Sequence, residues 1–467
     1  MSDALYFLER ENMLFFDNLF IDSPDKKQSA VLFNLLSFRR RKLSKEEAKL
    51  VKGMMEKLQE IDYFTKQEKV FYKNLVRLKQ IFSDQDKQRI EDFYMQYYRE
   101  RREANPYNKD HNMTIQLTQN CNMDCVYCYN RNSISERITI KTEQIDAIGE
   151  YYNFISDRLK LHTKISTISF TGGEPLFDEN TINLLNYGAK KWPKAKLYIL
   201  TNGLNLLKFH HLLPIEQLEL VQVSLDGVAE VHMRRRKTNV MKVSMYDDIV
   251  QGIEKLLAVN VKVRIAMVLD RENYLNTNKF MEFLISKGLL GNPLLDFKYN
   301  VVTDFTNEME IDPAFNTWEE VVEIAKHLKE SLGVPVVSFF PALNILLRYI
   351  FRESSTFEVP FFKKCNVRSY DNLVFTPDGN VYACVQATVT KGIIGKYFPE
   401  KILQEEVFQR IVNSNPIFDN EKCRKCVYKY VCLGGCPVYA EAQDKELFCG
   451  VFSQTKILEK ALQLALT

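Results

Sequence analysis

Short apolar, β-branched runs alternate with longer segments of helical periodicity through the middle of the chain. The apolar runs are Met113–Leu117, Ile165–Phe170, Leu197–Leu200, Leu218–Ser224, Val261–Val268 and Leu295–Tyr299. The helical segments between them are Thr142–Leu159, Asn180–Lys190, Asp247–Val259 and Thr277–Lys287. Apolar strands that alternate with helices predict a parallel sheet covered on both faces. Six such units in residues 111–311 predict an α/β fold, a partial (β/α)6 TIM-type barrel with functional residues at the carboxyl ends of its strands.

The first 83 residues predict a separate module with a different pattern. Leu5–Leu8 and Met13–Ile21 are aromatic runs around a polar turn and predict a hairpin, and a helix is expected over Gln28–Phe38. Ser44 and Glu47 form a capping box that opens an amphipathic helix. A hairpin with amphipathic helices predicts a winged-helix-like module over residues 1–83. The alternative is a simple N-terminal cap on the main domain.

Three further segments complete the predicted domain organisation. Residues 84–110 are charged and aromatic and predict a linker helix, and residues 312–360 predict a bridging region. Residues 361–467 are rich in Gly, Cys and short hairpins, such as the turn at Pro377–Gly379. This last segment has little apolar material of its own, so we expect its folding to depend on bound metal.

Composition and charge exclude several classes of partner. The chain has 467 residues, which predicts two to four domains, and its formal net charge of +3 gives no reason to expect nucleic-acid binding. The basic run Arg39–Lys42 is too short to change that interpretation. No window approaches the roughly 18 apolar residues of a membrane helix, and no signal peptide is visible at the start. We expect a cytoplasmic protein without a membrane partner, in which clustered cysteines are metal ligands or redox groups.

All ten cysteines lie in a few tight groups. They are Cys121, Cys125 and Cys128, then Cys365 and Cys384, then Cys423, Cys426, Cys432, Cys436 and Cys449. Cysteines used for packing would be dispersed, whereas gaps of two to five residues bring sulfurs to one point, as metal ligation requires. The pattern therefore predicts metal–sulfur chemistry.

The first group, Cys121-x3-Cys125-x2-Cys128, directly follows the first predicted barrel strand. Three thiolates at this spacing can bind three corners of a [4Fe–4S] cube, whereas zinc would need a fourth local ligand. The motif, with Tyr127 before its last cysteine, resembles that of the radical S-adenosylmethionine (radical SAM) superfamily. The resemblance implies a radical SAM barrel in which Cys121, Cys125 and Cys128 are the catalytic cluster ligands and Tyr127 belongs to the cofactor site.

Later strand ends match the same family. In the resemblance, Gly172, Gly173 and Glu174 bind the SAM amino group, while Asn202, Ser224 and Arg236 hold ribose and carboxylate. Arg234 and Arg235 leave the choice within the arginine run open, and Arg264 is a further candidate. The implied reaction is reductive cleavage of SAM to a 5′-deoxyadenosyl radical that abstracts a hydrogen atom.

The C-terminal cysteines resemble the SPASM extension, which implies two auxiliary [4Fe–4S] clusters and three clusters in all. In the family, the inner cluster takes Cys365, Cys384 and Cys436, and the outer one takes Cys423, Cys426, Cys432 and Cys449. A zinc ribbon formed by the close-spaced group 423–436 is the alternative.

Two departures from the family pattern bear on function. No further cysteine lies between Cys365 and Cys384, so the inner cluster has an unfilled site that a substrate thiol, water or another residue would occupy. Sulfatase-maturating enzymes carry an aspartate base directly after the second of these cysteines, where this chain has Val385. Sulfatase maturation is therefore disfavoured.

The resemblance implies a maturase that forms a thioether or carbon–carbon crosslink in a ribosomally made precursor peptide. Residues 1–83 would bind the leader of that precursor as an added strand, and flavodoxin or ferredoxin would donate electrons. The alternatives are a peptide epimerase, which needs a hydrogen donor that the assigned cysteines do not leave free, and a non-catalytic iron–sulfur peptide scaffold.

Overall fold

A ten-stranded β-sheet forms the centre of the protein. The structure is a computed structural model that describes residues 13–14, 18–21, 30–34, 40–57, 61–78, 80–81, 84–103, 111–128, 130, 137–159, 164–238, 243–271, 273–301, 318–332, 367, 372–389, 392–412, 416–426, 428–442 and 446–447. The strands are β1 (Met13–Leu14), β2 (Asn18–Ile21), β3 (Val31–Asn34), β4 (Arg40–Lys42), β5 (His111–Thr118), β6 (Asp124–Cys125), β7 (Ile165–Gly172), β8 (Lys196–Thr201), β9 (Leu218–Ser224), β10 (Arg236–Lys237), β11 (Val263–Leu269), β12 (Leu295–Val301), β13 (Asn372–Phe375), β14 (Asn380–Tyr382), β15 (Ile393–Lys396) and β16 (Ile402–Leu403). The order in the large sheet is β12-β11-β9-β8-β7-β5-β13-β14-β15-β16.

Helices connect and flank these strands. They are α1 (Lys45–Glu56), α2 (Lys66–Arg77), α3 (Asp84–Glu103), α4 (Thr142–Leu159), α5 (Glu179–Lys191), α6 (Leu206–Phe209), α7 (Ala229–Arg235), α8 (Val243–Ala258), α9 (Thr277–Ser286), α10 (Trp318–Leu332), α11 (Glu405–Val412), α12 (Pro416–Asp419), α13 (Glu421–Lys425), α14 (Lys429–Cys432) and α15 (Pro437–Ala442). Short 3₁₀ turns cover Ile61–Tyr63, His210–Leu212, Ile215–Gln217, Tyr274–Asn276 and Val385–Val389. No described helix is long and apolar enough to cross a membrane.

All six predicted barrel strands are present, and neighbouring pairs are parallel. Each strand lies beside the next one along the chain, without reversal, which is the winding of a (β/α) barrel. Alternate residues, such as Val221 and Val223 of β9, are buried in the core, while Gln222 and Ser224 between them are partly exposed. The carboxyl ends of the strands therefore carry their polar residues on the opposite, inner face.

The C-terminal segment continues this sheet. Strand β13 pairs in parallel with β5, and β14 to β16 follow as an antiparallel extension. Phe375 and Tyr397 are fully buried, and the Phe375 ring packs edge-on against Tyr151 of α4 at 6.0 Å. The buried residues of these hairpins therefore belong to the same core as the barrel.

The N-terminal region forms a four-stranded antiparallel sheet, β1-β2-β3-β4, followed by α1 and α2. The capping box of Ser44 and Glu47 is present as predicted. The predicted helix over 28–38 is wrong, because Val31–Asn34 is strand β3 and is buried on both faces. Leu32 packs with the N-terminal helices, whereas Val31 and Phe33 pack in the large core. The predicted strand at Leu5–Leu8 lies outside the described residues.

Candidate active site at the strand ends

The loop that carries Cys121, Cys125 and Cys128 leaves the carboxyl end of β5. It is fastened to the arginine run after β9, since Cys125 pairs with Arg236 in the two-stranded sheet of β6 and β10. The Val126 amide also donates to the Arg235 carbonyl at 3.0 Å. All three cysteines are free thiols. The end of β9 and the cysteine loop are thus brought together, as the sequence predicts.

Gly172 and Gly173 at the end of β7 hold the cysteine loop from its other side. The Gly173 amide donates to the Thr118 carbonyl at 2.7 Å, and the Glu174 amide donates to the Asn120 carbonyl at 2.9 Å. A Cβ at Gly173 would lie 2.1 Å from the Asn120 oxygen, and one at Gly172, where φ is +142°, would lie 2.2 Å from the Thr118 oxygen. Both glycines are needed for this close backbone approach.

The Glu174 carboxylate is buried and joins the ends of β7 and β8. Its Oε1 accepts from the Thr201 hydroxyl at 2.5 Å and from the Leu176 amide at 2.9 Å, and its Oε2 accepts from the Asn202 amide at 2.7 Å. Burial raises the pKa of Glu174 to about 7, although these donors lower it. Three donors leave part of the lone-pair capacity of the carboxylate for a ligand.

Asn202 reaches from β8 to the cysteine loop. Its Nδ2 donates to the Asn122 Oδ1 at 2.7 Å and approaches the Cys121 sulfur at 3.8 Å. Its Oδ1 accepts from the Leu204 amide at 2.9 Å, which fixes the orientation of the side chain. Asn202 therefore contacts two other predicted site residues, Glu174 through its backbone amide and Cys121 through its side chain.

Asp226 is the centre of a buried charged network behind the loop. Its Oδ2 accepts from the Tyr127 hydroxyl and from the Arg236 Nε at 3.1 Å, and its Oδ1 accepts from the Val268 amide at 3.0 Å. Burial would raise the pKa of Asp226, but Arg236 and Arg235 more than offset this and hold it below its usual range. The carboxylate is therefore ionised at neutral pH.

Arg236 lies between Asp226 and the cluster loop. Its Nη1 donates to the Cys125 sulfur at 3.7 Å, and its carbon Cζ lies 5.4 Å from the centre of the Tyr127 ring. The neighbouring Arg235 is ion-paired with Asp270, also buried. Arg234 is exposed to solvent. Arg235 also reaches the loop, since its Cζ lies 4.8 Å from the centre of the Tyr127 ring, but Arg236 is the one that donates to a cysteine sulfur.

The remaining candidates lie nearby or elsewhere. Ser224 is partly exposed at the end of β9, on the inner face of the sheet. His232 accepts from the Asp226 amide through Nδ1 at 3.3 Å, and burial lowers its pKa to about 3, so it is neutral. Arg264 is lower on β11 and is held by Asp296 through two hydrogen bonds of 2.7 and 2.8 Å.

The three loop cysteines fit an iron–sulfur cluster. Each sulfur accepts an N–H: Cys121 from the Met123 amide, Cys128 from the Asn130 amide and Cys125 from Arg236. Such donors stabilise metal-bound thiolates and set the reduction potential of a cluster. Burial raises the pKa of all three free thiols, that of Cys125 to about 12, so a cationic metal centre is needed to keep them ionised.

Two of the C-terminal cysteines lie on short helices. Asn420 caps α13, which carries Cys423, and α14 ends at Cys432. Three successive residues with positive φ, Leu433 to Gly435, then turn the chain to Cys436. Cys365 and Cys449 lie outside the described residues. Within the described ranges, no three Cys, His, Asp or Glu side chains are placed to bind a single metal ion; the cysteines of a cluster bind different irons and need not approach one point so closely.

Sequence reasoning did not select Thr201 and Asp226, although both lie in strand-end segments that it singled out. Thr201 precedes Asn202, and Asp226 follows Ser224 by two positions. Short polar side chains directly after buried strands were the available signal. Their partners are 27 and 99 residues away along the chain, so no local pattern could identify the contacts.

Comparison with known proteins identifies the domain. A family model described as Radical SAM superfamily matches residues 115–284. The cysteine-type anaerobic sulfatase-maturating enzyme of Clostridium perfringens (strain 13 / Type A) is 22% identical over 348 residues, 72% of this chain and 91% of that protein. The antilisterial bacteriocin subtilosin biosynthesis protein AlbA of Bacillus subtilis is 28% identical over 208 residues, 42% of this chain and 41% of AlbA.

A solved structure supports the fold over most of the length. Streptococcus suis SuiB bound to precursor peptide SuiA aligns with a TM-score of 0.52 at 15% identity, covering 93% of this chain and 98% of that chain. The described fold, the cysteine loop and these matches agree. The chain therefore carries a radical SAM domain over residues 115–284, with two peptide- or protein-modifying enzymes, an anaerobic sulfatase-maturating enzyme and AlbA, among its homologues.

Proposed function

We propose that this protein is a SPASM-type radical SAM maturase that forms an intramolecular thioether or carbon–carbon crosslink in a ribosomally made precursor peptide. The observation that carries the proposal is the convergence of Cys121, Glu174, Asn202 and Arg236 at the carboxyl ends of consecutive strands. The relatives add support, since they include the subtilosin biosynthesis protein AlbA and SuiB bound to its precursor peptide.

In this proposal, each site residue has a role that its contacts support. Cys121, Cys125 and Cys128 would hold a [4Fe–4S] cluster, which together with SAM supplies a 5′-deoxyadenosyl radical. Glu174 would accept hydrogen bonds from the SAM ammonium group with the lone-pair capacity that its three donors leave. Ser224 and Arg236 would orient the SAM carboxylate, and Tyr127 would pack in the same site.

The C-terminal cysteines would hold two auxiliary clusters in the pattern that the sequence resemblance implies. Forming a crosslink removes two hydrogens from the peptide: one hydrogen atom leaves with 5′-deoxyadenosine, and one proton and one electron must also depart. Cys384 and Cys436 would hold the inner acceptor for that electron together with Cys365. The site without a cysteine ligand there would receive a substrate thiol in a thioether-forming enzyme.

The N-terminal sheet offers a place for the leader of the precursor. Strands β1 and β4 are the edges of the sheet within the described residues. An extended peptide can add to such an edge through backbone hydrogen bonds. The core contact of Val31 and Phe33 would connect this module to the barrel.

Sulfatase maturation is the second candidate, because a sulfatase-maturating enzyme is among the relatives. Val385 begins the 3₁₀ turn directly after Cys384 and has no group that can take a proton. The position that holds the aspartate base in those enzymes is therefore apolar here. This observation favours the peptide crosslink.

We place the reaction in the cytoplasm, with flavodoxin or ferredoxin as the electron donor. The loop cysteines Cys121, Cys125 and Cys128 are thiols, which suits a reducing compartment. A reducing compartment would also keep a low-potential electron donor reduced.

The experiment is anaerobic reconstitution with iron and sulfide, followed by incubation with SAM, reductant and the peptide encoded beside this gene. We expect 5′-deoxyadenosine and a peptide that has lost two hydrogens, with about twelve irons per chain. If 5′-deoxyadenosine forms and the peptide is epimerised with unchanged mass, the enzyme is an epimerase and does not form a crosslink. If the iron-loaded protein forms no 5′-deoxyadenosine, the remaining hypothesis is a non-catalytic iron–sulfur scaffold that binds peptides.

A further inference from the structure

Lys298 is a shielded lysine on the inner face of the barrel sheet. It lies on the last parallel strand, β12, where Tyr299 and Val301 face the buried core. Because side chains alternate along a strand, Lys298 faces the opposite side, together with Asp296 and Asn300. That side is the one that carries the polar strand-end residues.

The register of the sheet places Lys298 at the level of the SAM site. Lys298 pairs with Ala266 of β11, and Ala266 pairs with Ser224 of β9. Ser224 is therefore two strand spacings away, about 10 Å along the sheet. The side chain between them on β11 is only the methyl group of Ala266, which leaves room between Lys298 and Ser224.

The neighbouring carboxylate does not neutralise Lys298. Asp296 is bound by Arg264 through two hydrogen bonds and is also 3.6 Å from Lys262. Within the described residues, Lys298 makes no hydrogen bond or ion pair. Burial and the charge of Arg264 lower the pKa of Lys298. This part of the inner face thus holds more positive than negative charge, and a shielded cation without a partner is costly unless an anion binds it.

SAM does not offer a suitable anion for this position. Its only anionic group is the carboxylate, which Ser224 and Arg236 would take. Ser224 lies on β9, two strands from Lys298, and Arg236 is held beside the cluster loop by Asp226. With the SAM carboxylate held there, the anion left for Lys298 is one of the substrate.

We propose that Lys298 is a specificity residue that binds an acidic side chain of the peptide substrate, Asp or Glu, close to the residue from which hydrogen is abstracted. The proposal rests on the peptide-modifying function above. Ala266 provides the room for the acidic side chain, and the Arg264–Asp296 pair keeps Asp296 from competing for the ammonium group. An ammonium group binds a single carboxylate without a fixed geometry, so either acid is accepted.

The test uses the reconstituted, SAM-loaded enzyme and three dansyl-labelled tripeptide amides, Gly-Glu-Gly, Gly-Gln-Gly and Gly-Lys-Gly. Fluorescence anisotropy gives their affinities for wild type, Lys298→Met, Lys298→Arg and Lys298→Glu. The matched control is Lys279→Met, an exposed lysine on α9. We expect wild type, Lys298→Arg and Lys279→Met to prefer the Glu peptide over its Gln isostere about tenfold. Lys298→Met abolishes that preference, and Lys298→Glu reverses it toward the Lys peptide.

Three outcomes overturn the proposal. The first is that wild type shows no preference for the Glu peptide over the Gln peptide. The second is that Lys298→Met keeps the preference of wild type. The third is that Lys298→Met keeps this preference but binds SAM tenfold more weakly, which would make Lys298 a SAM contact. Melting temperature shows whether each variant is folded. Because the readout is peptide affinity, a wild type that binds the Glu peptide but changes no peptide in the reaction assay contradicts the proposed function and leaves the Lys298 site standing.

Discussion

Arg236 donates to the sulfur of Cys125 at 3.7 Å while its Nε is held by Asp226 at 3.1 Å. The guanidinium thus links a buried carboxylate to a cluster ligand. Arg236 and Asp226 are both nearly inaccessible to solvent. If one of them is removed, water cannot reach the other to solvate its charge. This relationship makes Asp226 a positioning residue for both the arginine and the cysteine loop.

Asp226→Asn is expected to destabilise the protein by about 3 kcal/mol, because it leaves buried arginine charge without its partner. SAM cleavage is expected to fall at least tenfold, since Arg236 and Tyr127 both lose their anchor. Urea denaturation and 5′-deoxyadenosine formation measure the two effects. Asp146→Asn removes an exposed carboxylate that pairs with Lys191 and should cost below about 1 kcal/mol. Equal losses in the two variants would contradict the role of Asp226.

Gly173→Ala is expected to prevent cluster loading, because its Cβ would meet the Asn120 carbonyl at the start of the cysteine loop. Iron content and visible absorbance after anaerobic reconstitution measure the loss. The control is Gly288→Ala, where φ is +66° but no atom lies within 4 Å of the added Cβ. That variant carries backbone strain without a clash, so it should load iron normally despite a stability loss of about 1 kcal/mol. Normal loading of Gly173→Ala would show that the loop does not depend on this contact.

The cysteine groups predict how iron is divided. Replacing Cys125 by Ala should lower the iron content from about twelve to about eight per chain and abolish SAM cleavage. Replacing Cys426 should also remove about four irons but leave the radical cluster in place, which electron paramagnetic resonance can show separately. Loss of zinc instead of iron in the second variant would mean that the C-terminal group is a zinc ribbon.

The strands of the barrel could be predicted because each is a short apolar run between helical segments, and runs such as Ile165–Phe170 have no competing interpretation. Strand β3 could not, because all four residues of Val31–Asn34 are buried, and a short segment buried on both faces has no period to distinguish strand from helix. The pairing of β13 with β5 joins residues more than 250 positions apart, so nothing local indicated that the C-terminal hairpins share the barrel core.

Part of the candidate site could be predicted from the sequence and part could not. Cys121, Glu174, Asn202 and Arg236 belong to motifs, so they could be found, and the structure brings them together. The ion pair of Arg236 with Asp226 depends on the turn after β9 and on the loop after β5. Only the folded chain shows it.

Phe375→Ala tests whether the C-terminal hairpins belong to the barrel core. Phe375 is fully buried between Tyr151, Tyr152 and Tyr397, so its truncation should cost about 4 kcal/mol. Phe93→Ala removes the same atoms from a ring that is 63% exposed and should cost far less. Urea denaturation of the metal-free proteins compares them. A small effect of Phe375→Ala would mean that the hairpins fold only with their metal centres.

Glu174 gives a pH dependence of defined sign. Burial raises its pKa to about 7 in the folded protein, against 4.5 as the ordinary value. The folded state therefore holds this proton more tightly than the unfolded chain, and Glu174 lowers stability as the pH rises from 4.5 through 7. Glu174→Gln removes the titration, so the free energy of unfolding of wild type minus that of the variant should fall by about 3 kcal/mol between pH 4.5 and pH 8. In the variant, the side-chain amide faces the Asn202 N–H and lowers stability by an amount that does not depend on pH. Comparing how the stability of the two proteins changes with pH, instead of their stabilities at one pH, removes this constant difference.

Thr201→Val then separates the carboxylate from its surroundings. It removes the hydroxyl that donates to Oε1 at 2.5 Å, which lowers the pKa, so the pKa of Glu174 should rise further. Since the ionised carboxylate is the form that binds an ammonium group, SAM affinity should increase through a midpoint near pH 7 in wild type and at higher pH in Thr201→Val. Isothermal titration calorimetry over a pH series measures both midpoints. The Thr201 hydroxyl also accepts from the Gly203 amide at 3.0 Å, so melting temperature is measured as a check on the fold. The same midpoint in both folded proteins would mean that Glu174 does not control SAM binding.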